Sequence, residues 1–279
     1  MTRVSIVYEA NEKVGFGHFN RCRNLCHYLN KSQMNACMVD LKSLQSWTDF
    51  SDQIVIIDVS LTTKINLDEN FKTARLLIGL DWFQKQKVAI NIVAFAHQKP
   101  KANLKVYEGF KYLMIDPKIS DLEPCNSKNL GKRVLVMVGG GDVKKIGFHV
   151  ADQLHDRGYD VHLVRGPFSS TFHYNRPYKI SKNEKNIPQV INEADWMVTN
   201  GGGCLFEALA AGRPALAFAQ TKFEDTIIKE CSRHSVILGN SLDDLDKPKQ
   251  LEKIVTAGRS LIDGRGLERI TEIIKKASS

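Results

Sequence analysis

Short runs of apolar, mostly β-branched residues alternate along this chain with segments in which apolar residues recur at helical spacing. The run at 53–58, Gln-Ile-Val-Ile-Ile-Asp, is typical of a strand buried on both faces of a parallel sheet. By contrast, Cys22, Leu25, Cys26 and Leu29 share one face of a helix. The same patterns predict strands at 4–8, 38–40, 74–81, 89–95, 133–138, 161–165, 195–199, 214–219 and 236–238, and helices at 145–155, 189–194, 224–233 and on both sides of 262–266. This alternation predicts an α/β fold with parallel sheets.

The chain is long enough for two domains. Its 279 residues exceed what one hydrophobic core usually serves. The mostly polar segment 120–132, with Pro124 and Gly131, is interpreted as the linker, and after it the chain starts again with a strand and a glycine loop. We therefore predict an N-terminal domain at 1–125 and a C-terminal domain at 131–279, both Rossmann-like and doubly wound, facing each other across a cleft.

A glycine loop follows the first predicted strand. It contains Gly15 and Gly17, and His18 comes directly after it at the start of the first helix. In a Rossmann-like unit such a loop lies at the carboxyl edge of the sheet, where ligands bind. A helix N-terminus favours the neutral imidazole, which can act as a base. We therefore interpret His18 as a catalytic base, with a surface or capping histidine as the alternative.

Two aspartates follow buried strands at the same predicted edge. Asp58 ends the run at 53–58, and Asp81 ends the run at 74–81. Because the carboxyl ends of parallel strands meet at one edge of the sheet, we place both carboxylates in the catalytic site. The alternative for each residue is a helix cap or a turn.

A second glycine stretch, Gly201 to Gly203, follows the strand at 195–199 and opens a short helix that stops at Gly212. Glycine lets a ligand approach the backbone, and the unpaired N–H groups of a helix N-terminus attract phosphate. Glu207 lies about one turn further on, where its carboxylate can accept hydrogen bonds from the vicinal diol of a ribose. The alternative is a tight strand-to-helix turn with a solvated glutamate.

Composition and charge exclude several classes of protein. The longest apolar runs, such as 134–138, are strand-length, and no signal peptide precedes the first strand, so we expect no membrane insertion and a cytoplasmic location. The six cysteines show no CxxC pair or zinc spacing and are interpreted as free thiols, Cys22 and Cys26 as packing residues. The net charge of +8 suits an anionic partner or, alternatively, solvated helix faces. Because an aromatic-basic motif is missing, we do not expect nucleic acid as a partner.

Four motifs in order along the chain carry a resemblance to a known family. They are the segment 15–22 (Gly-Phe-Gly-His-Phe-Asn-Arg-Cys), the segment 138–142, the stretch from Gly201 to Leu209 with Glu207, and the segment 263–266. Together they resemble the nucleotide-sugar hydrolases of the pseudaminic-acid pathway and their spore-coat polysaccharide relatives. Those proteins have the GT-B glycosyltransferase fold and are similar to the N-acetylglucosaminyltransferase of peptidoglycan synthesis.

The resemblance implies a reaction and a set of roles. The family removes UDP from a 2,4-diacetamido-2,4,6-trideoxyhexose by attack of water at the anomeric carbon, with inversion and without a metal or cofactor. His18 would be the base, Gly201 to Gly203 would hold the diphosphate, Glu207 would bind the ribose, and the backbone around Ile187 would bind uracil. The remaining substrate-binding residues that the motifs imply are Gly15, Gly17, Arg21, Gly140, Gly141 and Cys204.

Several positions depart from the family pattern and leave alternatives open. Val59 and Ser60 follow Asp58, Trp82 follows Asp81, Asp116 stands where the family has an arginine, and the usual Asn-Gln pair is replaced within 220–224. A GT-B glycosyltransferase would use the same nucleotide half, although the short N-terminal domain favours water as the acceptor. A nucleotide-sugar-binding partner of other enzymes in the pathway is the third interpretation. The sugar and the choice between uracil and cytosine also stay open.

Overall fold

The computed structural model describes residues 2–11, 14–44, 48–95, 105–126, 128–142, 144–167 and 175–278. Its strands are β1 (Arg3–Tyr8), β2 (Asn35–Asp40), β3 (Gln53–Asp58), β4 (Leu76–Leu80), β5 (Ile90–Val93), β6 (Lys105–Glu108), β7 (Arg133–Met137), β8 (Asp160–Arg165), β9 (Lys179–Lys182), β10 (Trp196–Asn200) and β11 (Ala215–Phe218). Its α-helices are α1 (Gly17–Lys31), α2 (Leu67–Asn70), α3 (Pro117–Ser120), α4 (Ile146–Asp156), α5 (Ile187–Glu193), α6 (Gly203–Ala210), α7 (Lys222–Arg233), α8 (Leu251–Leu261) and α9 (Gly266–Ser278). None of these helices combines the length and the hydropathy that crossing a membrane requires.

The chain divides into two compact units. Unit 1 comprises Met1–Asp116 together with Gly264–Ser279, and unit 2 comprises Pro117–Asp263. The sequence pattern places the last helix in the second domain, whereas α9 packs in unit 1. The reason is the apolar stripe of α9, in which Leu267 and Ile270 join the core beneath α1. Amphipathic spacing shows that a helix needs a core, but it does not identify which core.

Unit 1 is built on a six-stranded sheet in the order β2-β1-β3-β4-β5-β6, with all neighbours parallel. Helices α1 and α9 cover one face of this sheet. The other face is covered largely by side chains from irregular segments, among them Phe50, Phe71 and Trp82. The sequence pattern does not reveal β6, because this edge strand is only four residues long and mostly exposed.

Unit 2 is built on a five-stranded parallel sheet in the order β11-β10-β7-β8-β9. Its edge strand β9 is polar and is likewise not evident from the sequence pattern. The strand predicted at 236–238 is wrong. Val236 and Leu238 are buried, and the N–H of Leu238 donates to the carbonyl oxygen of Ala215 at 2.7 Å, but the pairing with β11 amounts to a single bridge, between Leu216 and Gly239, and is too short to form a strand. An apolar run shows burial, whereas a strand also needs a partner ladder.

Arg213, which follows α6, is buried among backbone carbonyl groups of unit 2. The residue is 6% exposed, and its guanidinium donates to the carbonyl oxygens of Ile191, Ala211 and Glu123 at 3.2, 3.3 and 2.6 Å. The first two carbonyls belong to the ends of α5 and α6, where the helix dipole is negative and favours a cation. The bond to Glu123 fastens part of the predicted linker to unit 2; residue 127 of that linker lies outside the described residues.

Replacing Arg213 with Met should destabilise unit 2 strongly. Methionine fills much of the volume but donates no hydrogen bond, so the buried carbonyl groups lose their donors. We expect a loss of about 2–4 kcal/mol in the free energy of unfolding, measured by urea titration followed by circular dichroism. Arg233→Met is the control, because the Arg233 side chain is 76% exposed. Equal stabilities of the two variants would contradict this role of Arg213.

Candidate active site

The strand order of unit 1 identifies the ligand-binding edge of its sheet. From β1 the chain moves to β2 on one side and then to β3 on the other. In parallel α/β sheets, ligands bind outside the carboxyl ends of the strands at such a reversal. His18 follows β1 and Asp58 ends β3, so the sheet brings these two predicted residues to the reversal point.

Hydrogen bonds join Asn11, after β1, to the residues just before α1. Gly15 has a φ of +78°, which favours glycine, and its N–H donates to the carbonyl oxygen of Asn11 at 2.7 Å. The side-chain oxygen of Asn11 accepts from the N–H of Val14 at 3.0 Å. Helix α1 then begins at Gly17, where a Cβ atom would meet no other atom within 4 Å. His18 thus lies in the first turn of α1, next to the open space beside Gly17.

His18 is hydrogen-bonded to the carboxylate of Asp58. The distance from Nδ1 to Oδ1 is 2.6 Å, and the side chains of His18 and Asp58 are 20% and 0% exposed. A carboxylate only accepts hydrogen bonds, so Nδ1 carries the proton. The neutral imidazole then has its lone pair on Nε2. A histidine held in this way can take a proton from a nucleophile at Nε2.

Arg21 lies one helical turn after His18 and holds two carboxylates. Its Nε donates to Oδ2 of Asp58 and its Nη1 to Oδ2 of Asp81, both at 2.6 Å, while Nη2 donates to Oδ1 of Asp58. The sequence motif predicts Arg21 as a substrate-binding residue. In the structure, its guanidinium contacts these two carboxylates of the protein itself, and its Nη2 also lies 3.2 Å from Nδ1 of His18. Arg21 therefore positions the partners of His18.

The surroundings of Asp58 keep its carboxylate charged. Burial opposes ionisation, but the Arg21 guanidinium and His18 outweigh this effect and hold the pKa of the Asp58 carboxyl below its ordinary value. Cys22 also donates from Sγ to Oδ2 of Asp58 at 3.2 Å. Burial and the nearby Asp58 charge raise the pKa of the Cys22 thiol, so it stays protonated and can donate. Cys22 is buried in the core as predicted, and it additionally supports the site.

Asp81 has a left-handed backbone with a φ of +49°. This conformation is uncommon for a residue other than glycine and requires support from the surrounding structure. The support comes from β5 and the residue after it: the N–H of Asp81 donates to the carbonyl oxygen of Ile92, and Oδ1 accepts from the N–H of Ala94, both at 2.9 Å. Oδ2 of Asp81 is thereby directed to Arg21. The predicted residues His18 and Arg21 thus contact Asp58 directly, and Asp81 is connected to Asp58 through Arg21.

Glu9 is a site-supporting residue that the sequence motifs do not reveal. It is 9% exposed, and its Oε1 accepts from Nδ2 of Asn11 at 3.0 Å. Its Oε2 accepts from the N–H of Ser60 at 3.0 Å and from Oγ1 of Thr63 at 2.5 Å. Glu9 therefore ties the loop after β1 to the loop after β3. The available signal was a carboxylate directly after a buried strand, the same signal that identified Asp58.

In the described part of the chain, no group of three or more His, Cys, Asp or Glu side chains is arranged to hold a metal ion. The polar groups around Asp58 bond to one another instead.

In unit 2, the strand order reverses between β7 and β10. Both glycine segments follow these two strands: Gly139 to Gly141 come after β7, and Gly201 to Gly203 come after β10. The carboxyl ends of β7 and β10 are neighbours in the sheet. The two predicted glycine segments therefore lie side by side at the ligand-binding edge of unit 2.

The helix after the first of these loops already has an anion at its N-terminus. Gly140 and Gly141 lead to Asp142, whose Oδ1 and Oδ2 accept from the N–H groups of Ile146 and Gly147, each at 2.7 Å. These are the first two residues of α4. Because the protein's own carboxylate occupies this position, α4 does not offer a free site for phosphate.

Helix α6, in contrast, begins without a side-chain cap. Its N-cap is Gly202, and a Cβ atom on Gly203 would meet nothing within 4 Å. The open space beside Gly203 therefore adjoins the positive end of the helix dipole, which suits an anion, although the N–H of Leu205 already donates to the carbonyl oxygen of Gly202 at 3.0 Å. Cys204 lies in this turn, and burial raises the pKa of its thiol, so it adds no negative charge. Glu207, half-buried, follows one turn later.

Asn200, the last residue of β10, is a site residue that the sequence motifs do not reveal. It is 9% exposed, and its Nδ2 donates to Oε1 of Glu224 at 2.7 Å. This nitrogen would lie 3.1 Å from a Cβ on Gly139 and 3.2 Å from one on Gly202, so the Asn200 amide separates the two loops. Its Oδ1 has no hydrogen-bond partner among the residues described. A buried acceptor without a donor costs free energy, which a hydroxyl or N–H of a ligand can recover.

Ile187 is the first residue of α5, whose N-cap is Asn186. The helix follows β9, which is separated from β10 by β7 and β8 in the sheet. Ile187 thus lies at the same carboxyl edge as the glycine loops but several strands away from α6.

Comparisons of sequence give distant relatives. No protein-family model matches the chain. Spore coat polysaccharide biosynthesis protein SpsG of Bacillus subtilis strain 168 is 26% identical over 201 residues, covering 63% of this chain and 59% of SpsG. An uncharacterized protein of Methanocaldococcus jannaschii is 22% identical over 291 residues, covering 83% of this chain and 59% of that protein. The chain therefore spans less than two thirds of each relative's length.

Comparisons of structure show the fold. MurG of Acinetobacter baumannii superposes with a TM-score of 0.60 at 9% identity, covering 99% of this chain and 100% of MurG. The spinosyn rhamnosyltransferase SpnG complexed with thymidine diphosphate gives 0.54 at 10% identity and covers 100% of both chains. A putative UDP-N-acetylglucosamine 2-epimerase from Listeria monocytogenes gives 0.55 at 13% identity, covering 99% and 96%. The chain has the GT-B fold, and this prediction is confirmed.

Proposed function

We propose that this protein is a hydrolase that releases UDP from a nucleotide-linked deoxyamino sugar. The observation that carries the proposal is the His18–Asp58 pair, joined at 2.6 Å through Nδ1 of His18, which assigns the role of base to Nε2. Unit 2 contributes the open N-terminus of α6 as the site for the diphosphate. The similarity to a protein of spore coat polysaccharide biosynthesis supports a sugar substrate. Thymidine diphosphate in SpnG and the UDP-sugar in the name of the epimerase support a nucleotide-linked one.

The proposed reaction is a single displacement. A water oxygen bonds to the anomeric carbon while Nε2 of His18 accepts the proton of that water. The bond from the anomeric carbon to the phosphate oxygen breaks, UDP leaves with the bonding electrons, and the configuration inverts. Asp58 stabilises the imidazolium that forms, and the α6 N-terminus stabilises the charge that develops on the diphosphate. His18 then returns its proton to solvent.

The remaining predicted residues receive roles within this proposal. Gly15 and Gly17 leave room for the sugar beside His18, and Gly140 and Gly141 leave room for the nucleotide. Cys204 contributes the backbone N–H of the first turn of α6. The backbone at Ile187 would bind the uracil base.

The proposal is tested by calorimetric titration and by an assay for nucleotide release. UDP, thymidine diphosphate and CMP are titrated first, and UDP is expected to bind most tightly. UDP-linked acetamido sugars are then incubated with the protein without any acceptor. Release of UDP supports hydrolysis, whereas failure to bind any nucleoside diphosphate contradicts the proposal.

A glycosyltransferase is the second candidate, because MurG and SpnG share the fold. The same His18–Asp58 pair would then take the proton from an acceptor hydroxyl instead of water. Tight UDP binding without acceptor-free release would favour this candidate over the hydrolase. If no acceptor restores release either, a non-catalytic partner of other sugar-pathway enzymes is the interpretation that fits.

Replacing Glu207 with Ala should weaken UDP binding by about tenfold, because hydrogen bonds from the ribose hydroxyls to a carboxylate are lost. The measurement compares UDP with 2′-deoxy-UDP in wild type and variant. Wild type should prefer UDP, and Glu207→Ala should abolish that preference. Glu193→Ala, an exposed glutamate on α5, is the control. An unchanged preference in the Glu207 variant would exclude a ribose contact.

A further inference from the structure

We propose that Glu224 is a positioning residue of the nucleotide site, which sets the spacing of the two glycine loops through Asn200. The inference rests on the function proposed above. Glu224 belongs to the segment where the family's Asn-Gln pair is replaced, and the sequence motifs assign it no role.

The Glu224 carboxylate joins the ends of two neighbouring strands. Its Oε1 accepts from Nδ2 of Asn200, the last residue of β10, and its Oε2 accepts from the N–H of Gln220, just beyond β11, both at 2.7 Å. Each oxygen therefore has a donor with good geometry. Charge-assisted hydrogen bonds of this kind are about twice as strong as neutral ones. The orientation of the Asn200 amide follows from this contact, since only its nitrogen can donate to a carboxylate.

Glu224 also contacts the glycine loop directly. A Cβ atom on Gly201 would lie 2.5 Å from the carbonyl oxygen and 2.8 Å from the Cβ of Glu224, so only glycine fits at this position. On the other side, the Asn200 amide lies between Gly139 and Gly202. Movement of Asn200 would therefore displace the loops after both β7 and β10.

Gln220 extends the same network to β7. Its Nε2 donates to the carbonyl oxygen of Val138 at 2.7 Å, directly before Gly139. Lys144 adds a bond from Nζ to the carbonyl oxygen of Ala219 at 3.1 Å. Through Glu224, the ends of β7, β10 and β11 are thus connected by side-chain hydrogen bonds at the ligand-binding edge. The strands themselves are held by their ladders, so loss of Glu224 should affect the loops more than the sheet.

The test compares Glu224→Ala with Glu230→Ala, a matched substitution on the same helix. Oε2 of Glu230 lies 2.7 Å from Nη1 of Arg233. Affinities for UDP and for uridine are measured by calorimetry. For Glu224→Ala we expect the UDP affinity to fall about tenfold, since the diphosphate depends on the glycine loops, while the uridine affinity stays within about twofold. Glu230→Ala should change neither affinity.

Hydrogen exchange of peptides covering 138–142 and 200–205, measured without ligand, tests the positioning role separately. It should be faster in Glu224→Ala and unchanged in Glu230→Ala. Unchanged exchange with unchanged UDP affinity would overturn the inference, as would equal losses for UDP and uridine. If wild type does not bind UDP but exchange is still faster in the variant, the proposed function fails and the structural link holds. Should Glu224→Ala not fold, Glu224→Gln, which keeps the size but not both acceptors, is judged by the same criteria.

Discussion

Replacing His18 with Asn is expected to lower the turnover of the UDP-sugar by about 10³-fold and to leave the UDP affinity within about twofold. Asparagine can still donate a hydrogen bond to Asp58, but it has no basic nitrogen to accept the proton of water. The nucleotide is proposed to bind to unit 2, so its affinity should not depend on the imidazole. Single-turnover release of UDP and calorimetric titration of the same preparation measure the two quantities.

His27→Asn is the matched control for this variant. His27 lies on α1 as well, and its side chain is exposed. The control should keep wild-type turnover. Unchanged turnover in His18→Asn would remove His18 from the reaction, whereas a parallel loss of UDP affinity would show that His18 binds substrate instead of acting as a base.

Asp58→Asn is expected to cost about 10³-fold or more in turnover and also to destabilise unit 1. An amide in place of the carboxylate cannot accept from His18, Arg21 and Cys22 together, and its own N–H₂ faces donors. The Nδ1–H tautomer of His18 is then no longer favoured, so Nε2 loses its basic lone pair. Arg21 loses a buried partner, and we expect this loss to lower the free energy of unfolding by about 3 kcal/mol. Turnover and urea unfolding, measured side by side, separate the two effects.

Asp81→Asn is the comparison for this variant. It leaves the contacts of Asp58 with His18 and Arg21 in place, and its side chain is 27% exposed, so the loss of turnover should be about tenfold or less. Equal losses in both variants would contradict a special role for the His18–Asp58 pair.

The stability difference between wild type and Asp58→Asn should depend on pH in a defined direction. The folded-state pKa of Asp58 is lower than its ordinary value of 3.8, so the contribution of its charge is fully present above that value. It is lost as the pH falls through the lower, folded-state pKa. The free energies of unfolding of wild type and Asp58→Asn should therefore differ by a constant amount from about pH 8 to about pH 5. This difference should shrink only in stronger acid.

Much of the candidate site can be predicted because its positions have local signals. His18 follows a G-x-G turn, and Asp58 ends a β-branched run; in a parallel sheet both positions come to one edge. The glycines before α6 also have a local signal, because they directly follow a predicted strand. Arg21 also belongs to a motif, but its partners Asp58 and Asp81 lie 37 and 60 residues away, so its positioning role becomes visible only when the strands are paired.

The residues that sequence reasoning missed share one property. Glu9, Asn200 and Glu224 act through hydrogen bonds to groups in other loops. In the sequence, Asn200 is only a polar residue after a predicted strand, and Glu224 is only an acidic residue in the first turn of a helix. Both residue types are common at such positions without any role in a functional site. Their function depends on which loops become neighbours.

Hydrophobic periodicity and glycine punctuation in the sequence determined the α/β class, most of the strands and the loops that carry His18 and the glycines, since these depend on residues close together in the chain. The tertiary structure decided what depends on distant groups. In the structure α9 packs in unit 1, and Arg21 contacts two carboxylates. Asp142 accepts hydrogen bonds from the N-terminus of α4, whereas the N-terminus of α6 has no side-chain cap. The physical reason is that a side chain's partner is chosen by packing and strand order, which no local pattern contains.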